Sequence, residues 1–220
     1  MFYKFWRSLI VGLAYLVFGV EVRGRDRLPR TGVYILAPSH RSLLDIPFAA
    51  AVTRRRLRFM AKKEIFANRF WTRVFDELGA VKVDRDGTDR AALKAIESAL
   101  REGEPVVVFP EGTRRAGPEI DELHSGAAYL ALRVGVPIVP VGVGGSEHPV
   151  VRHGWFRWWS RVTVVVGEPI VHPPVEGTIK RSAIAACNEE LRVRLQACFA
   201  EAVAWSDERS GGARQPGERV

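Results

Sequence analysis

Six short apolar runs punctuate this chain: Val33–Ala37, Leu57–Ala61, Ala80–Val83, Val106–Phe109, Ile138–Gly142 and Val162–Val166. Between most of them lie segments with helical apolar spacing: Leu44–Val52, Lys63–Leu78, Asp89–Glu102 and Ser125–Val134. Strands that alternate with helices need crossover connections, which set the strands mostly parallel with helices on the sheet faces. The expected fold is therefore a single α/β domain with a mixed, mostly parallel sheet flanked by helices. Its 220 residues, 47% of them hydrophobic, suffice for one sizeable core. A last helix is expected from about Arg181 to Trp205. Residues 206–220, polar and containing Gly and Pro, read as a disordered tail.

The first 23 residues read as a distinct apolar segment ahead of the domain at 24–205. Phe2-Tyr3-Lys4-Phe5-Trp6-Arg7 is aromatic and basic, and the uncharged stretch Ser8–Val20 follows. Thirteen helical residues reach about 20 Å, short of the roughly 30 Å hydrocarbon core. No small-residue cleavage site follows, so a signal peptide does not fit. A helix lying in a membrane interface fits, with Tyr3 and Trp6 at headgroup level. The alternative is a core helix covering one face of the sheet. The net charge of +8 calls for an anionic partner: nucleic acid, a phosphorylated metabolite or an anionic membrane face. Eight basic residues (Arg54, Arg55, Arg56, Arg58, Lys62, Lys63, Arg69, Arg73) fall within about twenty positions, and each adds about 1 kcal/mol of attraction near such a membrane. The segment Gly154–Arg161 interleaves three tryptophans with arginines, a composition suited to a bilayer interface. Cys187 and Cys198 lie roughly 16 Å apart along one expected helix, too far for a bridge, and read as reduced core residues.

Chemistry concentrates at four places. In Ser39-His40-Arg41-Ser42-Leu43-Leu44-Asp45, a histidine and a carboxylate stand five positions apart after an apolar run. They can meet if His40 lies in a loop and Asp45 in the first helical turn, with Ser42 as N-cap and Asp45 at the third position. Asp45 would then hold one imidazole nitrogen and leave the other free as a base. The same residues also read as an ordinary capping box. The second place is Phe109-Pro110-Glu111-Gly112-Thr113-Arg114-Arg115, after the apolar run Val106–Val108. It sits where open α/β sheets bind ligands: Gly112 admits close backbone approach, and Arg114 offers a fork for phosphate. Glu111 could bind a substrate hydroxyl or hold Arg114. The third, Gly79–Arg85, delivers Asp84 and Arg85 at a strand end. In the fourth, Val136-Pro137-Ile138-Val139-Pro140-Val141, two prolines bracket a short strand, and Pro140 would shape a pocket wall.

These four segments, in this order from Ser39 to Val141, resemble the glycerolipid acyltransferase family, whose bacterial members acylate lysophosphatidic acid. That family shows Asn-His-x-x-x-x-Asp, a Gly-x-x-x-x-x-Arg block, Phe-Pro-Glu-Gly-Thr-Arg-Ser and Val-Pro-x-x-Pro-Val. The resemblance implies His40 as general base and Asp45 as the residue that orients the imidazole. It implies Arg85 and Arg114 on the acceptor's phosphate, with Glu111, Gly112, Thr113 and Pro140 lining the substrate site. Lys63 would add positive charge nearby, with Lys62 as the alternative. It also implies acyl transfer from acyl-CoA or acyl carrier protein to the sn-2 hydroxyl of lysophosphatidic acid, giving phosphatidic acid without an acyl-enzyme. Work on the cytoplasmic face of the cell membrane, as a monotopic or peripheral protein, would follow. Two departures stand out: Ser39 replaces the usual Asn, and Arg115 replaces a common Ser.

A thioester is already activated, so a base-assisted hydroxyl can attack it and neither cysteine nucleophile nor cofactor is needed. The five histidines (40, 124, 148, 153, 172) show no close metal-ligand spacing, so no metal is expected. The alternatives are transfer to another lysophospholipid or a lyso-glycolipid, a membrane-remodelling relative without activity, and a basic nucleic-acid-binding protein. The last leaves the first and second segments unexplained, so no nucleic-acid partner is expected.

Overall fold

The computed structural model describes residues 2–62, 66, 68–83, 89–147 and 161–211. A seven-stranded sheet runs in the order β1-β7-β6-β2-β5-β3-β4. Its strands are β1 (Glu21–Arg23), β2 (Ile35–Pro38), β3 (Arg58–Lys62), β4 (Ala80–Val83), β5 (Val106–Val107), β6 (Ile138–Gly144) and β7 (Thr163–Val166). Every neighbouring pair is parallel except β6 with β7. The helices are α1 (Phe2–Phe18), α2 (Asp45–Ala51), α3 (Arg69–Leu78), α4 (Asp89–Arg101), α5 (Gly126–Val134) and α6 (Arg181–Arg209). The α/β expectation thus holds, and its mostly parallel sheet with it.

Strand alternation splits the core in two. Ile35, Ala37, Val106 and Ile138 pack with residues of α4, α5 and α6. Tyr34, Leu36, Val107, Val139 and Val141 face the other way, against Ala14 and Phe18 of α1 and Phe48 and Ala49 of α2. The period of two on buried central strands is what places helices on both faces. Phe18 meets Phe48 edge-on with ring centroids 5.5 Å apart, which locks α1 to α2.

Three boundaries differ from the sequence expectation. Residues 21–23 are not part of an apolar leader: they form β1, which pairs Val22 with Val164 of β7 at the sheet edge. A three-residue strand is too short to show periodicity, and its pairing partner lies far along the chain. The last helix does not stop at Trp205. It continues to Arg209, because Ser206 Oγ donates to Arg161 O and Arg209 pairs with Glu21, anchoring the extra turn. Ser206–Arg209 therefore belong to the domain, while 212–220 lie outside the described residues. Finally, α3 starts at Arg69 behind the N-cap Asn68, whose side chain accepts from Phe70 N. Residues 63–65 and 67 of the expected earlier start lie outside the described residues.

Cys187 and Cys198 are free, buried thiols, and burial pushes each up to about 11. Helix α6 lies so close to β6 that a Cβ on Gly142 would sit 2.1 Å from Cys198 O, and one on Gly144 would sit 2.4 Å from Ala202 O. These are backbone contacts that no rotamer change can relieve. Gly142→Ala should therefore push α6 off the sheet and lower stability by about 1–3 kcal/mol, read as a lower urea midpoint.

Candidate active site

The chain reverses direction across the sheet at β2. From β2 it runs outward to β3 and β4, returns to β5 beside β2, and then crosses to β6 on the other side. The carboxyl ends of β2 and β5 are therefore adjacent, at the kind of switch point where α/β sheets bind ligands. His40 follows β2, and Glu111–Arg115 follow β5.

His40 and Asp45 meet as expected, with Nδ1 of His40 3.1 Å from Oδ2 of Asp45. The helix begins later than the capping-box reading has it. Asp45 is the first residue of α2 rather than the third, Ser42 lies in the turn before it, and Leu44 is the N-cap. The cause is the carboxylate: Oδ2 accepts from Arg41 N at 2.6 Å and Ser42 N at 2.7 Å. Those bonds wrap the 40–44 turn around one oxygen and bring the imidazole onto it. Asp45 is fully buried, whereas the His40 side chain keeps 14% of its surface exposed. Its ring lies over Phe109, centroids 4.2 Å apart, and Nε2 makes no hydrogen bond with any described residue. The imidazole is thus held at one nitrogen and available at the other.

Glu111 is fully buried and does not hold Arg114. Its Oε1 accepts from His40 N at 2.8 Å, and its Oε2 pairs with Arg41 Nη1 at 2.6 Å. Sequence reasoning passed over Arg41 because an arginine beside a histidine reads as a solvated charge. Gly112 has φ +69, a backbone conformation that favours glycine, and a Cβ there would lie 2.5 Å from the His124 ring, which would have to move. Thr113, Arg114 and Arg115 are exposed. Arg114 lines a cleft of about 190 Å³ with Arg41, Ser42, Leu43 and Glu147.

Ser39, standing where the related family has Asn, makes no hydrogen bond to His40. It is buried, and its hydroxyl accepts from Val143 N at 3.0 Å, which ties the end of β2 to β6. Pro140 is buried inside β6 opposite Ala37, against Gly167, and is not among the residues lining that cleft. Lys63, Arg85, and residues 154–160 of the tryptophan-rich segment lie outside the described residues. The strand leading towards Arg85, β4, is the sheet edge, three strands from β2 or about 14 Å at 4.8 Å per strand. No group of three or more His, Cys, Asp or Glu able to hold a metal occurs among the described residues.

Asp45→Ala would leave two backbone N–H groups of a buried turn without their acceptor. Urea unfolding should show a loss of about 2 kcal/mol or more. Asp45→Asn, whose amide oxygen can accept the same two bonds, should lose much less in that measurement.

Comparison with known proteins supplies the family. A family model described as Acyltransferase matches residues 19–144, more than half of the chain. Over 197 residues the chain is 27% identical to the 1-acyl-sn-glycerol-3-phosphate acyltransferase of Bacillus subtilis, covering 88% of this chain and 95% of that one. Over 177 residues it is 32% identical to the protein of the same name from Streptococcus pneumoniae, covering 77% and 63%. The crystal structure of the 1-acyl-sn-glycerophosphate (LPA) acyltransferase PlsC from Thermotoga maritima matches with a TM-score of 0.67 at 22% identity, over 95% of this chain and 81% of that one. That last likeness speaks for the fold. With the family model spanning β1 to β6, and with it both halves of the His40 site, this chain belongs to the acyltransferase family and is an enzyme of that kind.

Proposed function

We propose that this enzyme transfers a fatty acyl group from an acyl thioester, acyl-CoA or acyl carrier protein, to the sn-2 hydroxyl of lysophosphatidic acid, forming phosphatidic acid. The observation that supports it most is the His40–Asp45 pair: one imidazole nitrogen is bound to a buried carboxylate, the other makes no bond with a described residue, and the next two residues, Arg41 and Ser42, line a cleft together with Arg114. The names of the relatives point to the same acceptor.

In this reading His40 Nε2 takes the proton of the acceptor hydroxyl as its oxygen attacks the thioester carbonyl. Asp45 stabilises the imidazolium that forms. The tetrahedral intermediate collapses, the C–S bond breaks, and the proton passes from His40 to the departing thiolate. The new C–O bond is the product ester, and no covalent enzyme intermediate arises. Cys187 and Cys198, buried and with raised pKa, stand outside the chemistry. The exposed guanidinium of Arg114 neutralises the acceptor's phosphate. Thr113 stands beside it, Lys63 and Arg85 would add positive charge, and Gly112 keeps the loop's backbone conformation.

The same reading sets the enzyme on a membrane surface. Helix α1 buries Val11, Ala14 and Phe18 and exposes Phe5, Leu9, Leu13 and Leu16 along its outer face. Phe70 and Trp71 of α3 are exposed as well, and Phe70 packs edge-on against Trp6 of α1 at 5.9 Å. An apolar stripe of this kind, flanked by Arg54–Arg56, Arg69 and Arg73, suits an anionic lipid interface. Both sequence readings of α1 thus find support: one face is core, the other is free for lipid. No helix among the described residues is long and apolar enough to cross a membrane.

Two measurements test these statements. Thiol release from oleoyl-CoA should depend on added lysophosphatidic acid and fall about 100- to 10,000-fold in His40→Ala; release unchanged by the substitution removes His40 from the mechanism. Leu9→Asp with Leu13→Asp should shift the protein from floating anionic vesicles to the soluble fraction at high salt, where charge attraction is screened.

A further inference from the structure

Arg41 takes no part in the proton transfer, yet every nitrogen of its guanidinium is engaged. Its side chain is 1% exposed. Nε donates to Gly117 O at 3.2 Å and Nη2 to Glu119 O at 2.8 Å. Nη1 donates to Glu111 Oε2 at 2.6 Å and to His40 O at 3.2 Å. The guanidinium also lies over the Phe199 ring of α6, 4.5 Å from its centroid.

The partners of these bonds matter. Residues 112–119 are exposed and form neither helix nor strand, so bonds to other segments do most to hold Arg114 in place; at the far end Gln196 of α6 donates to Pro118 O at 3.1 Å and accepts from Ile120 N at 2.6 Å. Three points fasten the segment to the His40 turn. Glu111 accepts from His40 N, and Arg115 N donates to His40 O at 2.9 Å. Further on, Arg41 grips the carbonyls of Gly117 and Glu119. The peptide groups on both sides of His40 are thereby bonded to the segment that carries Arg114. An ammonium could keep the charge pair with Glu111 but could not reach all four acceptors at once.

We infer that Arg41 is a positioning residue: its buried fork fixes the Arg114 loop relative to His40, so that an acceptor held by its phosphate presents its hydroxyl to Nε2. This rests on the proposed roles of His40 and Arg114. A buried ion pair is by itself no sign of stability, and an apolar pair of similar volume often replaces one without loss. That separates positioning from mere support of the fold.

The test compares wild type, Arg41→Lys and the double variant Arg41→Met/Glu111→Gln, whose amide oxygen can still accept from His40 N. It measures melting temperature, kcat and the separate KM values for lysophosphatidic acid and oleoyl-CoA. Positioning predicts that Arg41→Lys loses about 100-fold in kcat/KM for the acceptor, since small misplacements at a reacting centre cost that much. The oleoyl-CoA KM should stay near the wild-type value. The double variant, which strands no charge and keeps the acceptor of the His40 N–H, should melt close to the wild-type temperature while activity stays low. Activity that returns together with melting temperature, or an equal rise in both KM values, overturns the inference. Limited trypsin digestion supplies a readout without activity: cleavage after Arg114 and Arg115 should quicken roughly tenfold in folded Arg41→Lys. An unchanged cleavage rate overturns the anchoring. If the wild type does not acylate lysophosphatidic acid, the functional reading fails, and the digestion still decides whether Arg41 holds the loop. If Arg41→Lys does not fold, the double variant decides by the same two measurements.

Discussion

A single buried carboxylate, Glu111, joins the two halves of the site. One of its oxygens takes the backbone N–H of His40, the other takes the guanidinium of Arg41, and neither is left for solvent or substrate. Unpairing it would strand a charge and a peptide N–H in the interior, an outcome that costs several kcal/mol. The turn after β2 and the loop after β5 are therefore one structural unit, although about 70 residues separate them along the chain. Within that unit Asp45 does the finer work by gathering two N–H groups and the imidazole on a single oxygen.

The sheet makes this unit possible. Parallel strands bring their carboxyl ends to one edge, and the outward and return path through β3, β4 and β5 sets β5 directly beside β2. The valines of β5 and the apolar residues of β2 are buried on both faces, so neither strand can slip by one residue without turning its core positions over. Glycines at 142 and 144 let α6 press against β6, and α6 carries the Phe199 ring on which Arg41 lies. The far side of the molecule, α1 with its exposed leucines and the aromatic end of α3, is built separately against α2 and the opposite sheet face.

Much of this was legible in one dimension, for reasons that differ by residue. His40 and Asp45 were recognisable because a five-residue spacing across a loop–helix junction has few ways to close, although the helix starts two residues later than a capping box implies. Arg114 follows an apolar strand, and the structure sets it at the cleft beside Arg41 and Ser42. Glu111 was placed in the right loop, but its partner is Arg41 rather than Arg114, and Ser39 serves β6 rather than the histidine. Both differences come from contacts with strands and loops distant in sequence.

The order of residues alone specifies the alternation of strands and helices, the two-sided burial of the sheet, and the residue types at the ends of β2 and β5. Those are set by local periodicity and by chemistry within a few neighbouring positions. That β1 closes the sheet edge, that Arg41 is buried, and that Glu111 belongs to it follow from the folded arrangement. The physical reason is that a guanidinium or a carboxylate has no preferred partner within its own segment. Its partner is chosen by which groups the fold brings together once water has been removed, and no spacing along the chain encodes that choice.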